Sequence, residues 1–153
     1  MNKKMNVLGA AAYIAIPTFL YLGLAIVITY LSREVFTITT HNYTAIAVTG
    51  AVMIFIGALM VISCGRKVLK SFNSGRLITD GLYKIFRNPM YAAYLLFIIP
   101  GIALLFNSWL ALTTVIINYI LFSFLIRREY QYLHNKFGKE YENYLDKVLI
   151  KFL

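Results

Sequence analysis

Four long stretches without a charged residue constrain the fold of this chain more than any other feature. They span residues 7–31, 43–63, 90–106 and 108–126. A transmembrane α-helix needs about 20 predominantly apolar residues to cross the roughly 30 Å hydrocarbon core of a bilayer. We therefore predict an all-α, polytopic membrane protein with four transmembrane helices, built as a single integral membrane domain of residues 1–153. The mean hydropathy of +0.71 agrees with this class.

The third and fourth stretches are separated only by Asn107, so they are predicted to form a tight antiparallel hairpin of helices. Pro100-Gly101 interrupts the third stretch, and lipid tolerates such a weakened helix only where neighbouring helices satisfy the freed backbone groups. The third span is therefore expected to pack against protein. Close helix contacts are expected at three glycines of the spans, Gly23, Gly50 and Gly57.

The positive charges of the chain, whose net charge is +9, lie almost entirely on one side of the predicted spans. All of the 15 Lys and Arg residues except Arg33 fall before the first span, between the second and third, or after the fourth. The positive-inside rule then places both termini and the 64–89 connection in the cytosol, at the cell membrane of a prokaryote or the endoplasmic reticulum of a eukaryote. Because the cations cluster at the ends of apolar runs, membrane lipids are the expected partner and nucleic acid is not.

Residues 127–153 are predicted to form a cytosolic tail that contains an amphipathic helix. The apolar residues of this tail recur at the three- and four-residue spacing of one helical face: Tyr141, Tyr144, Leu145, Val148, Leu149 and Phe152. Charged residues lie mainly on the remaining faces. A helix with this pattern is expected to lie along the membrane surface or to cap the bundle.

Two polar segments beside the third and fourth spans carry the candidate functional residues. Asn88-Pro89 is typical of a helix start, with Asn88 as the N-cap, and Arg87 stands immediately before it. The hairpin returns Glu129 to the same membrane interface. An arginine beside a helix N-terminus can bind a carboxylate or a phosphate, and a nearby acid can bind a cation. The predicted site therefore suits a zwitterion such as an amino acid head group.

A purely structural interpretation of these residues stays open. In it Arg87 is only a positive-inside residue, Asn88 is only a cap, and Glu129 is an ion-pair partner of Arg128 or Lys136. A metal site is not expected, because no second His or Cys stands at ligand spacing from either histidine.

The same segments carry a resemblance to a known family. Residues 81–91 read Gly-Leu-Tyr-Lys-Ile-Phe-Arg-Asn-Pro-Met-Tyr, which resembles the Gly-Pro-Tyr…Arg-His-Pro-x-Tyr signature of the isoprenylcysteine carboxyl methyltransferases and their phospholipid methyltransferase relatives. A second signature of that family, Glu-Glu-x-x-Leu…Phe-Gly-x-x-Tyr-x-x-Tyr, is similar to residues 129–144. The two segments follow in the family's order, so the resemblance covers about residues 81–148.

The resemblance implies a membrane methyltransferase with S-adenosylmethionine as its cofactor, bound on the cytosolic side between the hairpin and the tail. Carried over to this chain, Arg87, Asn88 and Tyr91 would contact the amino acid or ribose portion of the cofactor. Glu129 would hold its amino or ribose groups, and Tyr83 would line the same pocket. Arg87 and Glu129 are the candidate catalytic residues. The implied substrate is lipophilic or prenylated and enters from the bilayer.

Three positions depart from the family signatures. Leu82 replaces the usual proline, Asn88 replaces histidine, and Tyr130 stands where a second glutamate is expected. Asparagine can cap a helix and donate a hydrogen bond but does not titrate near neutral pH, so it cannot act as a protonated imidazole. No two of the nine glycines form a Gly-x-Gly, which excludes a Rossmann-type cofactor site.

The chemistry of the methyl acceptor separates two versions of the enzyme hypothesis. A carboxylate is already ionised at neutral pH and needs no general base, so an isoprenylcysteine-type carboxylate is the first choice. The amine of a phospholipid is mostly protonated and needs a base, for which Glu129 is the one obvious candidate in the two segments. Phospholipid amine N-methylation is therefore the alternative.

Two hypotheses from other functional classes compete with an enzyme. A small four-span transporter of cationic drugs would usually place an acid within a span, and none of the six acids lies in one of the predicted spans. A non-catalytic membrane adaptor, or a relative with a reductase-like role, is the third hypothesis. Binding of S-adenosylmethionine or of a nicotinamide cofactor would separate these readings.

Overall fold

The computed structural model describes residues 9–152, apart from the side chains of 9–11 and 72–74, so residues 7–8 of the first predicted span lie outside it. Within these described residues, three helices are long and apolar enough to cross a membrane, within Ala12–Leu31, Tyr43–Ser71 and Trp109–Phe137, and Pro89–Leu105 is a shorter apolar stretch. No strand occurs in the described part of the chain. The all-helical, polytopic membrane class is therefore confirmed, whereas the count of four spans stays a prediction.

Eight α-helices make up most of the described chain. Three of them are long: α1 (Gly9–Leu31), α3 (Tyr43–Ser74) and α7 (Thr114–Phe137). The shorter α8 (Lys139–Lys147) caps the bundle. The short helices α2 (Arg33–Phe36) and α6 (Trp109–Leu112) lie at one end of the bundle, and α4 (Pro89–Ala93) and α5 (Ile99–Leu105) form the third predicted span. The opposite end carries Arg87 and is called the Arg87 end below.

Both α3 and α7 continue well beyond the apolar stretches that predicted them. The α3 helix runs to Ser74 rather than ending near residue 63, and α7 runs to Phe137 rather than ending near residue 126. Hydropathy marks where a helix leaves the lipid, but polar and charged residues such as Lys and Arg are good helix formers and let the helix continue. Gly75 caps the C-terminus of α3 with a left-handed φ of 66°.

The third predicted span is helical but not a single α-helix. It begins as α4, widens into a π-helical turn over Tyr94–Ile98, and resumes as α5. Pro100 has no N–H to donate to the preceding turn, and a widened turn is one way to accommodate that missing hydrogen bond. The expectation of a helix weakened around Pro100 and packed on protein is confirmed, since Ile99, Gly101 and Ala103 are buried.

Two glycines set the close approach of this span to α3. A Cβ at Gly50 would lie 2.6 Å from the carbonyl oxygen of Gly101, and one at Gly57 would lie 2.6 Å from the Ile98 side chain. The expected close contacts at Gly50 and Gly57 are thus confirmed. The same expectation for Gly23 is wrong, because no atom of the described residues lies within 4 Å of a Cβ added there.

The predicted hairpin of the third and fourth spans is present. Asn107 adopts a positive φ of 53° at its turn, and its side chain accepts from the backbone N–H of Thr39 and donates to the Thr39 carbonyl. The chain then runs back, so that Ala92 and Leu95 from the third span share a buried cluster with Phe122 and Ile126. The hairpin therefore returns the last turns of α7 to the Arg87 end.

The first helix is joined to the hairpin by buried polar contacts. Asn118 donates to the hydroxyl of Thr18 over 2.9 Å, and the hydroxyls of Thr29 and Ser108 lie 2.6 Å apart. Where lipid offers no competing water, such interhelical hydrogen bonds help to fix helix packing. They set α1 against α6 and α7.

The tail forms a helix, but a shorter one than the sequence pattern predicts. The α8 helix ends at Lys147, and Val148 is already extended with a ψ of 135°. Ile150 then forms a parallel bridge with Phe86, so the backbone beyond 148 pairs with the segment before α4 instead of continuing the helix. The predicted single apolar face is therefore wrong beyond Val148: Leu149 is 80 % exposed and Phe152 is 65 % exposed.

Candidate functional site

The site is built where four parts of the chain meet at the Arg87 end. They are the last turns of α3, the connection that follows Gly75, the last turns of α7, and α8. Buried Tyr141, Tyr144 and Val148 pack against Leu77 and Tyr83 of the connection and against Leu133 and Phe137 of α7, which fastens α8 to these two elements. A cavity of about 190 Å³ lies between these elements.

Three of the five residues predicted for the site line this cavity: Tyr83, Arg87 and Glu129. They come from two segments that are far apart in the sequence, and the hairpin and α8 bring them together. The cavity wall also contains Tyr132, Lys136, Tyr141 and Tyr144. The cavity thus combines basic side chains, a carboxyl group and several phenol rings.

The guanidinium of Arg87 is held from two directions. Its Nε and Nη2 donate to the hydroxyl of Tyr141 over 3.1 Å and 2.7 Å, and its Cζ lies 3.3 Å from the centre of the Tyr130 ring. The backbone N–H of Arg87 donates to the carbonyl of Ile150 over 3.0 Å. That N–H is therefore not available to a ligand, and α4, the helix that begins beside Arg87, is five residues long.

Asn88 occupies the expected N-cap position before Pro89, but its side chain does not cap the helix. Its amide nitrogen donates instead to the hydroxyl of Tyr130 on α7. Asn88 is buried and is not part of the cavity wall. The predicted capping role of its side chain is wrong, because a partner from a distant part of the chain takes its hydrogen bond.

Tyr91 lies one turn further into the bundle, away from the cavity wall. Its ring packs against the ring of Phe122 with the two centres 4.8 Å apart, and it borders a buried apolar cluster. The geometry gives Tyr91 a packing contact between the third span and α7.

Glu129 has no hydrogen bond or ion pair from its side chain within the part of the chain that the structure describes. The alternative that pairs it with Arg128 or Lys136 is therefore not seen. Its carboxylate borders the cavity, and an anion in a partly buried position is unfavourable without a compensating partner. A ligand with a positive group would supply that partner.

The tyrosines around the cavity are kept neutral by their surroundings. Burial is the largest cause that raises the pKa of Tyr144, to about 12, and the Tyr144 hydroxyl donates to the backbone carbonyl of Tyr83 over 2.9 Å. Burial, followed by the nearby Cys64 and Glu129, also raises the pKa of Tyr83. Burial raises the pKa of Tyr141, and the hydrogen bond from Arg87 opposes this rise. The acidic and basic side chains on the cavity wall are Arg87, Glu129, Arg76 and Lys136.

The size of the cavity limits what it can hold as it stands. A volume of about 190 Å³ is below the roughly 300–1,000 Å³ of most small-molecule sites. It is sufficient for the polar end of a larger ligand. The unpaired Glu129 and the remaining donors of Arg87 fit a group that carries both an amine and a carboxylate.

Tyr130 and Tyr141 contact Arg87 but are not among the site residues predicted from the sequence. For Tyr141 a signal was present, because the Tyr-x-x-Tyr spacing of residues 141 and 144 belongs to the second family signature. For Tyr130 the signal was a mismatch, a tyrosine where the signature has glutamate. Its contact with Arg87 depends on how α7 returns along the hairpin, which the sequence pattern alone does not specify.

The fold and the site together define a helical integral membrane protein with a charged cavity at one end of its bundle. A family model described as phospholipid methyltransferase matches residues 45–140, and the chain belongs to this family. The family resemblance seen in residues 81–148 is thereby confirmed.

The chain is also similar to curated plant proteins. It is 31 % identical over 119 residues to a protein named "Probable protein-S-isoprenylcysteine O-methyltransferase" from both Oryza sativa subsp. indica and subsp. japonica. The match covers 70 % of this chain and 61 % of each rice protein. It is 26 % identical over 131 residues to "Protein-S-isoprenylcysteine O-methyltransferase B" from Arabidopsis thaliana, covering 80 % and 66 % of the two chains.

This chain therefore spans about three fifths of the length of the rice relatives, 61 %. No solved structure matches it significantly.

Proposed function

We propose that this protein is a membrane methyltransferase that takes its methyl group from S-adenosylmethionine and transfers it to a lipophilic acceptor. The observation that carries the proposal is the joint exposure of Arg87 and an unpaired Glu129 to one cavity. Membership of the phospholipid methyltransferase family and similarity to isoprenylcysteine methyltransferases support the reaction class. Both termini are proposed to lie in the cytosol, with the whole chain as one membrane domain.

Arg87 and Glu129 are proposed to bind the amino acid end of the methyl donor. An arginine has five N–H donors, and two of those of Arg87 point to Tyr141, so five minus two leaves three for a ligand carboxylate. Glu129 is the matching acceptor for the ligand's ammonium group. Charge-assisted hydrogen bonds of this kind are stronger than neutral ones and fix both distance and direction.

The remaining cavity residues are proposed to keep water away from the reacting atoms. Tyr83, Tyr141 and Tyr144 present neutral phenol groups, and α8 covers the cavity by packing on the connection before α4. S-Adenosylmethionine supplies an electrophilic methyl group on a sulfonium. In a dry pocket a carboxylate acceptor has an advantage, because its reaction with a cationic donor neutralises charge and requires no base.

An acceptor of the isoprenylcysteine type is the first proposal, entering from the bilayer. One observation favours the alternative of a phospholipid amine, namely that the side chain of Glu129 has no hydrogen-bond or ion-pair partner among the described residues and is available to accept a proton. If Glu129 instead binds the ammonium group of the methyl donor, it cannot serve as that base. The two acceptors therefore assign different roles to the same carboxylate.

Binding of the methyl donor is tested first, on the full chain in lipid nanodiscs by titration calorimetry. We expect S-adenosylmethionine to bind, and we expect Arg87→Ala and Glu129→Ala each to weaken binding by more than about tenfold, or about 1.4 kcal/mol. Arg128→Ala and Glu140→Ala are the matched controls, since both side chains are exposed and outside the cavity wall. No binding by the folded wild-type protein refutes the proposed function, and wild-type affinity in both site variants refutes the site.

The acceptor is tested by incubating the protein with methyl-labelled S-adenosylmethionine and a total lipid extract, with and without prenylated cysteine. A methyl ester loses its label as methanol in mild alkali, whereas a methylated amine keeps it. We expect an alkali-labile product that depends on the prenylated cysteine. An alkali-stable phospholipid product would replace the first proposal with the alternative.

A further inference from the structure

Two of the positions that depart from the family signatures are in direct contact. Asn88 stands where the signature has histidine, and Tyr130 stands where it has a second glutamate. The amide nitrogen of Asn88 donates to the hydroxyl of Tyr130 across 42 positions of the chain. Asn88 is only 8 % exposed, so this hydrogen bond is shielded from water. The two departures therefore form one structural unit.

This unit lies directly beneath the guanidinium of Arg87. The Cζ of Arg87 is 3.3 Å from the centre of the Tyr130 ring, within the range of a strong cation–π contact. Because the Tyr130 hydroxyl is fixed by Asn88, the ring has little freedom to turn away. Tyr141 holds the edge of the same guanidinium through two hydrogen bonds. Arg87 is thus supported on its face and on its edge.

The side chains that support Arg87 do not neutralise its charge, which therefore remains available to a ligand carboxylate. A glutamate at position 130 would pair with the guanidinium and compete with an incoming carboxylate for its donors. A tyrosine ring stabilises the cation without neutralising it and without occupying an N–H group. The Asn88–Tyr130 hydrogen bond is likewise neutral on both sides and adds no competing charge.

We propose that Tyr130 and Asn88 are positioning residues that hold Arg87 so that its three remaining N–H groups receive the carboxylate of the methyl donor. This inference rests on the proposed function and adds the residues that determine how tightly the donor binds. Both residues act through Arg87: Tyr130 by the face of its ring and Asn88 by fixing that ring. Neither residue lines the 190 Å³ cavity.

The test compares two ligands that differ by the group that Arg87 receives. Binding of S-adenosylmethionine and of decarboxylated S-adenosylmethionine is measured by calorimetry on the full chain in nanodiscs. We expect Tyr130→Leu to weaken binding of the first ligand about tenfold and to change that of the second by less than about twofold. A general loosening of the fold would weaken both ligands alike.

Conservative variants separate the contribution of the Tyr130 ring to binding from that of its hydroxyl. Tyr130→Phe keeps the ring and is expected to lose about threefold in affinity for S-adenosylmethionine. Asn88→Leu removes the N–H donor to Tyr130 at similar side-chain volume and is expected to lose as much affinity as Tyr130→Phe. Asn88→His restores a donor toward Tyr130 and is expected to stay within about twofold of wild type. Tyr119→Phe is the matched control, since this tyrosine is on the same helix, 44 % exposed, and outside the site.

The outcomes distinguish this inference from the proposed function. A wild-type protein that does not bind S-adenosylmethionine overturns both. A wild-type protein that binds it, with Tyr130→Leu either harmless or equally damaging to both ligands, overturns the positioning role alone. If Tyr130→Leu does not fold, the comparison of Asn88→Leu with Asn88→His decides, and equal affinities in those two variants also overturn the role.

Discussion

The contact between Gly50 and Gly101 gives the sharpest prediction about stability. A Cβ added by Gly50→Ala would lie 2.6 Å from the Gly101 carbonyl oxygen, whereas ordinary contact begins at 3.4 Å. The difference of 3.4 minus 2.6 means that the two backbones must separate by roughly 0.8 Å. Backbone atoms cannot rotate aside as a side chain can. Overpacking of this kind typically costs about 1–3 kcal/mol.

Gly23→Ala is the matched control, because it adds the same methyl group in a helix where nothing lies within 4 Å of the new atom. Both variants gain the same helix propensity, about 1 kcal/mol, so the difference between them isolates the packing cost. At about 2–4 °C per kcal/mol for a chain of this length, Gly50→Ala should melt about 2–12 °C below Gly23→Ala.

The assay uses Cys64, which is the only cysteine and is 1 % exposed. A thiol-reactive fluorogenic dye therefore reports unfolding of the detergent-purified protein without any engineered label. A control with denaturant present from the start shows that the dye reacts equally well with both variants. Equal melting temperatures for the two variants would refute the close packing of the third span on α3.

Two further predictions concern buried hydroxyls. Because burial raises the pKa of Tyr144 to about 12, its contribution to stability is complete below pH 10 and is lost as pH rises toward 12, at up to about 1.4 kcal/mol per pH unit. Tyr144→Phe should therefore make the fall of the melting temperature between pH 10 and 12 shallower, measured by circular dichroism, while Tyr83 and Tyr141 keep their own part of the fall. Thr18→Val leaves the buried amide of Asn118 without its partner and should cost about 1 kcal/mol, whereas Thr18→Val with Asn118→Leu should recover most of it in the thiol assay.

The helices of this protein are predictable because lipid leaves few alternatives to a long uncharged helix. The ends of these helices are less predictable, because an uncharged apolar stretch indicates contact with lipid and not how far the helix continues. The α3 helix therefore passes residue 63 and ends only at Gly75, whose positive φ is a local property of the sequence. Pro100 indicates a weakened helix in the third span, but nothing in the sequence specifies that the widened turn lies at Tyr94–Ile98.

The sequence also does not specify which glycines face a neighbouring helix. Gly50 and Gly23 look alike in the sequence, each in the middle of an apolar run. Gly50 faces the third span, and Gly23 is exposed on the bundle surface. Uniformly apolar helices have little amphipathic pattern to indicate which face is buried.

The site was predictable where it depended on topology and unpredictable where it depended on side-chain partners. Arg87 and Glu129 flank the two halves of a hairpin, so a short turn at Asn107 suffices to bring them to one end. Asn88 had a local explanation as a cap, and that explanation was wrong. Its hydrogen bond goes to Tyr130, which no rule of local sequence connects with it.

The tail shows why a local pattern fails when backbone pairing is available elsewhere. Beyond Val148 the helical pattern of apolar residues continues, yet the N–H of Ile150 donates to the carbonyl of Ile85 over 2.8 Å and its own carbonyl accepts from Arg87. These bonds form only because the connection before α4 presents unpaired backbone groups at that point. An extended tail satisfies them, whereas a longer helix would leave them without a partner. The same bonds fix the backbone of Arg87, so the residues that end α8 early also help to hold the proposed ligand-binding arginine in place.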